Sequence, residues 1–158
     1  MKKSIKTEAI LVAYNVLKGA KYQKVDSKDI IKIFHIAQAL KPIATKMEEV
    51  SKDASDTLKP EIEGGFDEML SKAQEYERII RNPKGNANKL PMGPAEYETF
   101  ITEFKKYQKL VADAVNKFAE EEREIELEPL KEETFSDLIA SNDWNMEQIL
   151  ALAEIIKE

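Results

Sequence analysis

Apolar side chains stepping by three and four residues constrain this chain more than any other feature. Between residues 27 and 58 they recur at Ile30, Ile33, Ala37, Leu40, Ala44, Met47, Ala54 and Leu58, with Phe34 and Val50 widening the stripe. That spacing stacks one face of an α-helix, whereas a strand would alternate every second residue. At about 1.5 Å per residue the stretch reaches on the order of 50 Å, long for a globular helix. It reads as a spine against which other segments lay their apolar faces. Asp26 or Ser27 can cap its start, and Asp29 puts negative charge in the first turn, where the helix dipole favours it. Pro42 removes a backbone donor and crowds the carbonyl of Gln38. Because the spacing stays in phase through Ala44 and Met47, a kink is expected there rather than a break.

A second stripe is cleaner still. From Pro94, well placed at a first helical position after Gly93, Tyr97, Phe100, Phe104, Tyr107, Val111, Ala114 and Phe118 alternate steps of three and four. Ile101, Leu110 and Val115 broaden it, and the helix is expected over 94–122 as a packing seam. Shorter helices fit around these two. Residues 7–18 bury Ile10, Ala13, Tyr14 and Leu17, with Thr7 as N-cap and Gly19 as a left-handed stop. Residues 66–81 put Phe66, Met69, Leu70, Ala73, Tyr76, Ile79 and Ile80 on one side. Residues 132–140 bury Phe135, Leu138 and Ile139. Asn145 with Gln148 spells a capping box for a last helix that buries Ile149, Leu150, Ala153 and Ile156, with Trp144 pinning the joint before it.

The connections are of two kinds. Pro60, Gly64 and Gly65 end the spine, and residues 82–93, rich in Asn, Gly and Pro, suggest a mobile or partner-ordered loop. Ile125 and Leu127 alternate with glutamates before Pro129, the pattern of a short edge strand, for which residues 89–92 are the candidate partner.

Composition narrows function. At 158 residues, 42% apolar and 34% charged, the chain fits one domain of amphipathic helices with ionic outer faces. No run approaches the roughly 20 apolar residues of a membrane span, and the N-terminal apolar run is too short for a signal peptide, so a cytosolic helix is expected there. No cysteine is present, which removes disulfides, thiolate metal sites and a Cys nucleophile. The net charge of −6 conceals a bipolar chain: residues 1–46 carry ten Lys against three acids, whereas residues 47–158 carry fourteen Lys and Arg against twenty-seven. Either the two ends pair within the molecule, or the basic end meets an acidic partner, a nucleic acid or the acidic end of a neighbouring copy. The densest patches are Lys18, Lys21, Lys24, Lys28 and Lys32, and the run Glu120 to Glu128, in which Glu120, Glu121 and Glu124 are the candidate partner-binding acids beside those lysines.

Reactive constellations are not spelled out. His35 is the single histidine, and its helical neighbours Ile31, Lys32, Gln38 and Ala39 offer neither a carboxylate nor a second imidazole, so no metal or catalytic site is assigned. Glu48, Glu49 and Asp53 fall at surface spacing, and no calcium loop, P-loop, dinucleotide fingerprint or nucleophile elbow is present. The basic patch lacks Arg, which does most base reading, and the last two helices are too acidic for DNA. No cofactor, small-molecule substrate, specific nucleic acid or membrane is expected.

Both ends of the chain carry a resemblance. The opening Ala13-Tyr14-Asn15-Val16-Leu17-Lys18-Gly19, with a long helix after a basic turn, and the close, with Leu130, Phe135, Leu138-Ile139, Ser141-Asn142-Asp143, Ile149 and Leu152, are similar to small uncharacterised phage and prophage helical proteins. The resemblance implies a phage-encoded protein that binds other proteins during virion assembly or sits in the virion, in the bacterial cytoplasm or the particle. It transfers no site residues. The expected fold is an all-α bundle on two long antiparallel helices, 27–58 and 94–122, with a minor two-stranded β element. The expected function is non-enzymatic and structural, through self-association or other virion proteins. The alternative is a regulatory module holding a partner protein or peptide in a helical groove, and an enzyme ranks last.

Overall fold

The computed structural model of the protein describes residues 2–83, 85 and 89–158. Among them are six helices and one two-stranded antiparallel sheet: β1 (Lys2–Lys6), α1 (Thr7–Lys18), α2 (Ser27–Thr57), α3 (Phe66–Arg81), α4 (Pro94–Ala119), β2 (Glu122–Glu126), α5 (Glu132–Ala140) and α6 (Met146–Ile156). The mainly helical class is the one the periodicity implies. Packing divides the chain into two compact units, Met1–Ser51 with Val115–Glu158, and Lys52–Ala114. Part of the expected mobile loop, residues 84 and 86–88, lies outside the described residues.

The first unit joins the two ends of the sequence. Its core takes Ile5 and Ile125 from the sheet, Ile10, Ala13 and Leu17 from α1, and Ile33, Ile36 and Leu40 from α2. Phe135 and Leu138 of α5 and Leu152, Ile155 and Ile156 of α6 complete it. Asp26 caps α2: its Oδ1 accepts the Lys28 N–H at 3.1 Å, and its carbonyl accepts from Asp29 and Ile30. The helix runs through Pro42 without a break. Ile33, Leu40, Ala44, Met47 and Ala54 of the expected stripe are buried, Ile36 joins them, and Phe34, expected to widen the stripe, is 58% exposed. On α6 the buried face is turned from the expected one: Leu152 and Ile155 are inside beside Ile156, and Leu150 is 62% exposed. The Asn145–Gln148 capping box forms with both reciprocal bonds, at 2.9 and 3.0 Å.

The sheet overturns one expected pairing. β2 pairs with β1, not with residues 89–92, in the register Lys2↔Glu126, Lys3↔Ile125, Ser4↔Glu124, Ile5↔Arg123, Lys6↔Glu122. Thr7 does not cap α1. It is fully buried, and its N–H and Oγ1 both donate to the carbonyl of Glu121, at 3.0 and 2.7 Å. Gly19 keeps a negative φ of −96°, so α1 ends without the left-handed stop. α4 stops at Ala119, three residues short of its expected end, because 122–126 is drawn into the sheet.

The second unit is built on aromatics. The Phe66 ring meets those of Phe100, Phe104 and Tyr107 at centroid distances of 6.0, 6.1 and 4.9 Å, and Tyr76 stacks on Tyr97 at 4.3 Å. Met69, Ala73 and Met92 close the core. The α4 seam is only partly internal: Phe100 is buried, whereas Phe104 and Tyr107 are half-buried and Leu110 is exposed. Gly64 and Gly65 lead into α3 with φ of 87° and 86°, a region open to glycine at little cost, and this permits the turn from Pro60 into the helix. The Tyr107 hydroxyl donates to the carbonyl of Ser55 at 2.5 Å.

Candidate functional site

The basic turn is held by its backbone and leaves Lys18, Lys21, Lys24 and Lys28 exposed. The Lys21 N–H donates to Asn142 Oδ1 at 2.7 Å, and Asn142 Nδ2 returns a bond to the Lys21 carbonyl at 2.9 Å. The Lys24 N–H donates to Ser141 Oγ at 2.9 Å. These bonds strap residues 19–26 to the α5–α6 joint, whose Trp144 packs on the same core. Burial of Tyr22 inside the turn raises its phenol above the usual range. Lys18, Lys21, Lys24 and Lys28 are exposed, and among the described residues only Lys32 of this set forms an ion pair, with Asp29 at 3.6 Å. Asp29 also accepts from Thr134 Oγ1 at 2.9 Å.

The acidic run lies elsewhere in the same unit. The Glu121 carboxylate pairs with Arg123 at 2.5 Å, Glu124 sits opposite Ser4, and Glu120 is exposed at the end of α4. Lys2 and Lys6 face this run from β1, opposite Glu126 and Glu122, and Lys32 lines a groove with Glu126 and Glu128. Among the described residues no ion pair joins the candidate lysines to Glu120, Glu121 or Glu124. Sequence reasoning missed β1, whose five residues carry a single buried apolar side chain, Ile5. Lys3 has a further role. Its ammonium lies 3.3 Å from each of the carbonyls of Glu154, Ile155 and Lys157, at the end of α6, where helix carbonyls otherwise lack partners.

Several concavities accompany large exposed apolar side chains. On the α1–α6 side, Val12 and Val16, one turn apart, line a groove of about 350 Å³ with Glu147 and Gln148. Met146, beside Glu147, and Leu150, one turn further along α6, are 67% and 62% exposed. A second groove, of about 400 Å³, runs between Tyr14 of α1 and Phe34, Ala37, Lys41 and Pro42 of α2. His35 is exposed beside Lys32, Glu126, Glu128 and Pro129 in a third, of about 440 Å³. Among the described residues, no three or more His, Cys, Asp or Glu side chains gather as metal ligands, and no helix is long and apolar enough to cross a membrane.

In the second unit a groove of about 430 Å³ is lined by Ile62, Met69, Ala95, Thr99 and Phe100, together with Glu63, Glu96 and Glu103. Glu103 pairs with Lys106 at 3.3 Å; Glu63 and Glu96 have no ion pair among the described residues. Nearby, the Tyr97 hydroxyl donates to the Glu77 carboxylate, and that bond with burial pushes the phenol up to about 12. No protein-family model, curated protein or solved structure matches this chain.

Proposed function

We propose that this protein is a non-enzymatic structural or assembly component that works through contacts with other proteins, copies of itself among them. The observation that carries the reading is the apolar surface beside the α1–α6 groove. Val12, Met146 and Leu150 are large and exposed, on two helices already packed on each other. Isolated exposed apolar residues are ordinary, but a group on adjoining elements is what a protein contact covers. The resemblance of both ends to phage and prophage proteins supports virion assembly as the setting, in the host cytoplasm or the particle. The test is solution mass across protein concentration, beside capture of partners from the host extract. A mass that rises, or a specific captured protein lost on Leu150→Lys, supports the reading. A constant monomer that captures nothing refutes it.

A second reading is favoured by the groove of the second unit. Its apolar and glutamate lining suits a partner segment with one apolar face and flanking lysine or arginine, as a regulatory peptide-binding module requires. Fluorescence anisotropy of a labelled amphipathic Leu/Lys peptide tests it. Binding that Thr99→Arg abolishes supports the module, and equal binding by that variant refutes it.

A further inference from the structure

We infer that the two edges of the small sheet are mutually complementary, so that β1 of one copy adds to the outer edge of β2 in the next. This deepens the assembly reading and rests on it. The ladder phase follows from one bond. The Thr7 N–H donates to the Glu121 carbonyl directly across from it, continuing the register by one pair. Antiparallel pairs alternate between bonded and non-bonded, so Ile5↔Arg123 and Lys3↔Ile125 exchange the internal hydrogen bonds. The backbone N–H and C=O groups of Lys2, Ser4 and Lys6 then point off one edge, and those of Glu122, Glu124 and Glu126 off the other. Among the described residues none of these six has a hydrogen-bond partner outside the sheet.

Charge decides which edges can meet. Placing β1 on a second β1 sets Lys2 against Lys6, and placing β2 on a second β2 sets glutamate against glutamate. Both juxtapose like charges and are disfavoured. Placing β1 on the free edge of β2 aligns the outward groups of both strands and repeats the internal register, Lys2 opposite Glu126 and Lys6 opposite Glu122. The charges that guard each edge against its own kind make it fit the other. Such a contact is head-to-tail and open-ended, a form that builds filaments or rings.

The test uses a proline at an outward position. Glu124→Pro removes an edge donor while sparing the internal ladder, whereas Ile125→Pro removes a ladder bond and serves as the unfolding control. Multi-angle light scattering of the full chain is compared at about 0.01 M and about 1 M NaCl, where the Debye length falls from about 30 Å to about 3 Å. Wild-type mass is expected to exceed the monomer at low salt and to fall at high salt, with Glu124→Pro folded by circular dichroism yet monomeric at both. A second arm avoids proline. The charge-swapped chain Lys2→Glu, Lys6→Glu, Glu122→Lys, Glu126→Lys keeps its internal pairing and is expected to assemble with itself but not with labelled wild type. Assembly that Glu124→Pro retains, or free mixing of swapped and wild-type chains, overturns the edge contact and leaves the assembly reading standing. A wild-type monomer throughout that still captures a host protein overturns the edge contact alone, and one that captures nothing overturns both.

Discussion

Replacing Lys3 with methionine tests how the N-terminal strand secures the C-terminal helix. The accounting at the end of α6 is close to complete. The Ile156 carbonyl accepts the Leu130 N–H at 2.6 Å, and Lys3 Nζ serves the carbonyls of Glu154, Ile155 and Lys157. A cation at a helix C-terminus contributes roughly 0.3–1 kcal/mol when exposed and up to about 2 kcal/mol when partly buried. Two of the three bonds are part-buried, so the upper half of that range applies. Methionine keeps the apolar stem, leaving the charge and its bonds as the main loss. We expect Lys3→Met to cost about 1–2 kcal/mol, a fall in Tm of roughly 2–8 °C for a chain of this size. Trp144 packs on the core of the first unit and is the only tryptophan, so its fluorescence in a urea titration reports this region. The midpoint should drop with an unchanged slope. Lys2→Met is the control: Lys2 is exposed opposite Glu126, and its loss should cost no more than about 0.2–1 kcal/mol. Equal midpoints for the two variants would refute the capping argument.

Three further outcomes follow from the geometry. Phe66→Ala removes the ring on which Phe100, Phe104 and Tyr107 converge and should cost about 3–5 kcal/mol, read by calorimetry and by loss of the aromatic near-UV signal. Asn145→Ala breaks the capping box of α6 and should cost about 1 kcal/mol by Trp144 fluorescence, with Asn145→Asp or Asn145→Ser retaining most of the stability. Tyr97 should ionise at about 12, after an ordinary tyrosine, in an ultraviolet absorbance titration. Its folded-state value lies above the unfolded one, so the stability tied to its neutral form is complete below about pH 10 and is lost as pH climbs from there towards 12. Glu77→Gln removes the carboxylate that holds the proton and should bring the midpoint down.

What could be read from the residues was local. The spans of α1, α3 and α5 follow their apolar spacing, and the Asn145–Gln148 box is written in four adjacent residues. Asp26 at the start of α2 was equally legible. The main stripe of α2, with Ile33, Leu40, Ala44, Met47 and Ala54, was legible too, but its flanks were not. Ile30, Ile31, Ile33, Phe34, Ile36 and Ala37 surround that turn almost completely, and only the packed neighbours select Ile33 and Ile36 and turn Phe34 and Ile31 outward. β1 was hidden because five residues with one internal apolar side chain acquire meaning only from a partner more than a hundred positions away. Counting charges exposed the bipolarity and left open whether the two ends pair within the molecule or meet a partner. The fold sets Lys2 and Lys6 opposite Glu126 and Glu122, places Lys32 in a groove with Glu126 and Glu128, and leaves Lys18, Lys21, Lys24 and Lys28 exposed. The exposure of Val12, Met146 and Leu150 was unreadable in advance, because the spacing that marks a buried helix face is the same when that face is left for a partner.

The most direct test of the proposal that this protein works by binding protein is its mass by light scattering over about two decades of concentration in low salt. Self-association requires a mass that climbs above the monomer's 18.0 kDa as concentration rises. A mass fixed at 18.0 kDa at every concentration, in a preparation that also retains no protein from its host's extract, contradicts it.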